Sequence, residues 1–118
     1  LSMQLPFIDR IAFDLMLEHG RASATGRHHD PAPVVKLFTP DAGATWLLTE
    51  IDPTDHDRAF GLCDLGLGEP ELGYVSLHEL ADIRGALGLP VERDATFTGD
   101  KPLSAYAVDA RQMRRIIS

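Results

Sequence analysis

Two runs rich in β-branched, aromatic and aliphatic residues, Val34 to Thr39 and Thr45 to Ile51, flank the segment Pro-Asp-Ala-Gly-Ala. No other feature restricts the fold as strongly. Five residues are too few for the crossover that parallel strands need, so the runs must pair antiparallel as a hairpin. Pro40 and Asp41 favour turn initiation, and Gly43 tolerates a positive φ. Alternation along the second run predicts Trp46 and Leu48 on one face, with Leu47, Thr49 and Ile51 on the other. Aliphatic side chains on both faces imply a central strand covered on part of each side.

The rest of the chain supplies the layers around this hairpin. A third strand is expected in Ala59 to Leu65, after the polar turn Pro53 to Arg58, and a fourth around Leu72 to Val75. In Pro6 to Gly20, the spacing of Ile8, Ile11, Ala12 and Leu15 predicts a helix opened by Pro6 and ended by Gly20, with an exposed loop following to Pro33. Ser76 followed by Glu79 has capping-box spacing, and Leu80, Ile83 and Leu87 form the expected inward stripe. After an extended piece around Arg93 to Phe97, Pro102 opens a last helix whose face runs through Leu103, Tyr106, Ala107, Ala110, Met113 and Ile117. The expected class is α+β, a single mostly antiparallel sheet of about four or five strands covered by about three helices. Residues 1–118 are read as a single domain, with Leu1 and Ser2 as a cloning remnant before Met3.

Composition narrows the function classes. With 44% hydrophobic and 25% charged residues, a chain of 118 can bury one core without staples. Cys63 is the only cysteine, which excludes an internal disulfide and a cysteine-based zinc knuckle. No signal peptide is recognised, and no apolar run approaches the ~20 residues of a membrane span. A cytoplasmic location and no membrane partner are therefore expected. The net charge of −7 is unevenly distributed: residues 37–83 hold ten acids against Arg58 alone, a formal −9. Duplex DNA is not an expected partner, because such surfaces cluster Lys and Arg against phosphates.

The chemistry-bearing residues form no strong motif. His28, His29 and Asp30 are capable metal ligands or proton carriers, but they lack the HExxH spacing that puts two imidazoles on one helix face. Asp52, Asp55 and Asp57 lack the spacing, central glycine and closing glutamate of an EF-hand. No metal and no cofactor are expected. Cys63 reads as a small buried core residue, and Phe38, Trp46, Phe60 and Tyr74 as core aromatics. The glycines around Gly66 and Gly68 lack the Gly-Lys-Ser/Thr of a phosphate loop and read as turns.

Linked phrases carry a family resemblance. Val34 to Pro53, Ala59 to Asp94 and Lys101 to Tyr106 closely resemble a family of small bacterial proteins known as domain of unknown function 2958. The resemblance runs from Leu5 to about Arg111. It implies an accessory protein encoded on plasmids and other mobile elements, and it brings no catalytic residues with it. The leading expectation is a non-catalytic interaction domain whose acidic turns, Asp41, Asp52, Asp55, Asp57, Glu69 and Glu71, meet a basic protein partner. The alternative is a small metal-dependent hydrolase or nucleic-acid-processing enzyme using His28, His29, Asp30 or the downstream carboxylates.

Overall fold

The computed structural model describes residues 5–26 and 29–118. It has the expected α+β class, with one sheet of five strands, β1 (Val35–Phe38), β2 (Thr45–Asp52), β3 (Asp55–Asp64), β4 (Glu71–Ser76) and β5 (Glu92–Arg93), in the order β4-β3-β2-β1-β5 and every neighbouring pair antiparallel. The first hairpin joins β1 to β2, in a register that places Leu37 opposite Trp46. Its loop closes by a different device from the one Gly43 suggests. Thr39 donates its N–H to the Ala44 carbonyl at 3.1 Å, and its hydroxyl accepts from Ala44 N–H at 2.9 Å. Gly43 is not among the residues with positive φ.

The strand β3 starts earlier than its apolar residues predict. Asp52 lies opposite Asp55, so only Pro53 and Thr54 turn the chain. The Asp52 carboxylate accepts from both the N–H and the hydroxyl of Thr54, at 2.8 and 2.7 Å, which supplies the reversal. The polar residues that follow can be strand because pairing needs only their backbone. β4 then adds to the outside of β3, and β5 pairs with β1 at the opposite edge.

β2 is central and covered on both faces, with one departure from simple alternation. Trp46 and Leu48 join a core with Phe7, Met16, Leu77 and Leu80, while Leu47 joins Leu62, Leu103 and Tyr106. Ile51 belongs to the Trp46 side, not to the Leu47 side as a strict two-residue period requires. A register shift between Leu48 and Glu50 explains this, since one extra residue reverses the facing of everything beyond it. Trp46 is 2% exposed, in keeping with its expected core position.

Helix α1 (Arg10–Ala24) is displaced from its predicted span. Asp9, not Pro6, opens it by accepting the Ala12 N–H at 2.8 Å. Its inward residues are Ala12, Met16, Leu17 and Gly20, and Ile11 is 82% exposed. Gly20 does not end the helix. A β-carbon there would overlap the Ile51 carbonyl, so glycine lets the helix lie directly on β2.

Helix α2 (Leu77–Asp82) begins at the predicted cap, with Ser76 Oγ accepting from Glu79 N–H at 3.2 Å. It stops before Ile83, and Leu87 is 80% exposed instead of inward-facing. Helix α3 (Leu103–Met113) buries Leu103, Tyr106, Ala107 and Ala110 as predicted, whereas Met113, its last residue, is exposed, and Ile117 leaves the helical face because Arg114 turns left-handed and ends the helix. α1 and α2 cover one face of the sheet and α3 the other.

Candidate interaction surface

Two stretches of the sheet that lack a neighbouring strand, the end of β2 and the whole of β4, are finished differently. Beyond Leu48, β2 loses β1 as a neighbour, and α1 takes its place. His19 Nδ1 meets the Thr49 carbonyl at 2.9 Å, Gly20 sits on the Ile51 carbonyl, and Ser23 Oγ donates to Glu50 at 2.6 Å. β4, at the other edge, pairs only with β3 among the described residues.

Ladder parity decides which β4 groups are unpaired. The bond from Thr39 N–H to the Ala44 carbonyl places Leu37 and Trp46 in a hydrogen-bonded pair two residues on. Successive residues turn their backbone groups to opposite sides, so Leu47 bonds toward β3, and Gly61 and Cys63 bond toward β4. Their partners Gly73 and Glu71 are thereby engaged. The N–H and C=O groups of Leu72 and Tyr74 point away from the sheet. Their side chains lie on the α3 face and are substantially exposed. Tyr74, expected in the core, is 54% exposed, with Phe60 edge-on at 5.0 Å and the Arg58 guanidinium 3.9 Å over its ring.

On the other face, a groove of about 470 Å³ runs between α2 and the β3–β4 end of the sheet. Trp46, Leu80 and Ile83 supply apolar lining, Asp55, Asp57 and Glu79 are its acids, and Arg58 and Tyr74 border it from the strand edge. Asp57 is fixed there: Oδ2 accepts from Ser76 Oγ at 2.5 Å, and Oδ1 accepts from His78 N–H at 2.9 Å with His78 Nδ1 at 2.5 Å. Burial pushes the Asp57 carboxyl upward, but the Ser76 and His78 hydrogen bonds together outweigh it and hold the group below the ordinary aspartate value of 3.8. Asp57 therefore supports the amino end of α2 from a neighbouring strand.

The six acids singled out from sequence divide into two kinds. Asp41 is drawn into the fold, its carboxylate accepting from Leu87 and Leu89 N–H at 2.6 and 3.2 Å. Gly85 packs so closely that a β-carbon would overlap that carboxylate. Asp52 holds the β2–β3 turn, Asp55 accepts from Asp57 N–H at 3.1 Å, and Asp57 caps α2. Glu69 and Glu71 are exposed, and their carboxylates make no hydrogen bond or ion pair among the described residues. The same is true of Glu79, which the sequence points to only as a cap residue.

The alternative catalytic set does not come together. His28 lies outside the described residues. The His29 ring meets His19 edge-on at 5.3 Å, and its Nε2 is buried without a partner among the described residues. Asp30 serves α3: its carboxylate accepts from the N–H and hydroxyl of Ser104, while Pro31 C=O takes the Leu103 N–H at 3.0 Å. No group of three or more His, Cys, Asp or Glu among the described residues could hold a metal. Burial and the neighbouring Glu71 push the Cys63 thiol up to about 11, opposite to what a thiolate nucleophile needs. No described helix is long and apolar enough to cross a membrane.

Leu72, Tyr74, Arg58 and Glu79 are the surface residues that the sequence argument left out. A signal was present in the apolar, polar alternation Leu72-Gly73-Tyr74, but reading it requires knowing that β4 is terminal. The family described as protein of unknown function (DUF2958) matches residues 8–117. No curated protein and no solved structure matches the chain.

Proposed function

Since the chain belongs to the DUF2958 family, whose description assigns no activity, we propose from its own geometry that it is a non-catalytic interaction domain for a basic protein partner. One observation carries this reading. Glu69, Glu71 and Glu79 are exposed and unpaired among the described residues, as are Glu18, Asp82 and Glu92, and the first three cluster by position: Glu71 lies on β4, Glu69 two residues before it, and Glu79 lines the groove. Three free carboxylates beside an open strand and an apolar groove attract cationic side chains without first breaking internal bonds. The acidic surface thus centres on the β4 side of residues 37–83, in a cytoplasmic accessory protein of the mobile-element kind that the family resemblance implies.

The variant that tests it is Glu69→Gln/Glu71→Gln/Glu79→Gln. These side chains carry no internal hydrogen bond among the described residues, whereas Asn at Asp52, Asp55 or Asp57 would cut turn and cap bonds and confound binding with folding. Affinity for a Lys-rich peptide should fall with rising salt for the native chain and lie lower, with a shallower salt slope, for the triple variant. Equal affinities and equal slopes would contradict the acidic-surface reading.

A further inference from the structure

The proposal of a basic partner leaves open how that partner is held, and the β4 edge supplies an answer that rests on that reading. We propose that the partner contributes an extended segment that adds antiparallel to β4, with alternate Lys or Arg residues directed to the groove face and apolar residues to the opposite face. Backbone groups of Leu72 and Tyr74 point outward by ladder parity, and pairing with a new strand is the use open to them beyond solvation. All pairs already in the sheet are antiparallel, the pairing of greater stability per residue.

The two faces of β4 differ in chemistry, and this sets the alternation. Toward the α3 face stand Leu72 and Tyr74, with Phe60 behind Tyr74. Glu71, Gly73 and Val75 take the opposite face by register, Val75 bordering the groove with Asp57 and Glu79. A β-carbon built on Gly73 meets nothing within 4 Å, so a long cationic side chain can cross the strand there to reach the acids. The Arg58 guanidinium lies over the Tyr74 ring, and Arg58 also borders the groove, where Asp55, Asp57 and Glu79 outnumber it. A second copy of the chain fits less well as occupant. Two chains of net −7 would meet edge to edge, and antiparallel pairing about Gly73 would bring both acidic groove faces to one side.

In an antiparallel addition, a residue hydrogen-bonded to Leu72 or Tyr74 shares their face. For an octapeptide of alternating Lys and Val, the Val N–H groups must therefore point at β4 and the Lys N–H groups away. The test measures binding of that peptide, of its Val-N-methylated and Lys-N-methylated forms, and of a Glu and Val counterpart. Strand addition predicts at least a tenfold loss on methylating Val and about no change on methylating Lys, the loss of roughly one or two main-chain bonds. Leu72→Pro, which removes an outward N–H but no ladder bond, should weaken binding by a similar factor, and Leu72→Ala by less. If Leu72→Pro fails to fold, the methylated peptides still decide. Equal binding of both methylated forms, or loss only on methylating Lys, overturns antiparallel strand addition while leaving charge attraction intact. Binding of the Glu peptide as tightly as the Lys peptide overturns the basic-partner reading instead, and failure of every peptide to bind overturns both. A dimer in sedimentation that Leu72→Pro dissociates would identify a second copy as the occupant and overturn the proposal.

Discussion

Where β1 stops short, the bare end of β2 is sealed by α1 through His19, Gly20 and Ser23, whereas six residues of β4 at the far edge have no outer neighbour among the described residues. The first edge is closed by backbone contact so tight that only glycine fits. The second carries exposed Leu72 and Tyr74 and no proline, lysine or bulge of the kind that discourages strand pairing. β5, the other terminal strand, also lacks an outer neighbour among the described residues but is only two residues long, so β4 is the longer open edge of the sheet. Substitutions should consequently be costly at one edge and almost neutral for folding at the other.

Gly20→Val is the sharpest way to break the closed edge. Its β-carbon meets the Ile51 carbonyl, a backbone atom that cannot rotate away, so a loss of about 3 kcal/mol is expected in denaturant unfolding. Next comes Asp41→Ala, which frees the Leu87 and Leu89 N–H groups. A loss of about 1–2 kcal/mol, with faster amide exchange across 84–90, would be its signature.

Asp57 separates the two regions by pH. Its carboxyl is held below 3.8 in the folded chain, so the stability it contributes is present above 3.8 and is lost as pH falls through the folded value. Asp57→Asn should lower thermal stability near neutral pH, and the gap from the native chain should narrow in acid. A gap independent of pH would mean that Asn disrupts packing and not a charge-dependent cap. Cys63, at the β3–β4 junction, should alkylate about 100-fold more slowly than a free cysteine near pH 8, because a value of about 11 leaves little thiolate. The smallest effects belong to the open edge. Gly73→Ala and Glu71→Gln should each shift stability by less than about 0.5 kcal/mol, since a β-carbon at Gly73 meets nothing within 4 Å and Glu71 is exposed.

Much of the scaffold was legible in local chemistry. The hairpin followed from two β-rich runs too close for a crossover, α2 from Ser76 and Glu79, and α3 from the spacing of Leu103, Tyr106 and Ala110. Features that depend on distant partners were not. The bulge that returns Ile51 to the Trp46 face is a mismatch between two strands, and the helix phase that hides Met16 while exposing Ile11 follows from where Gly20 can touch β2. The candidate site was half visible. Charge counting found the acidic segment, but Asp41 and Asp57 bond to backbone 46 and 21 residues away, and no local pattern distinguishes them from Glu69 and Glu71. Tyr74 was misplaced in the core for the same reason, because terminal position in a sheet is a property of strand order.

Residue-resolved amide hydrogen exchange on the free chain, at low and high concentration, reads directly whether β4 is open. Leu72 and Tyr74 N–H should exchange close to the rate of an unstructured amide at both concentrations, between the protected N–H groups of Gly73 and Val75. Protection of Leu72 and Tyr74 comparable to that of Gly73 would mean that the edge is already covered, and would contradict the account.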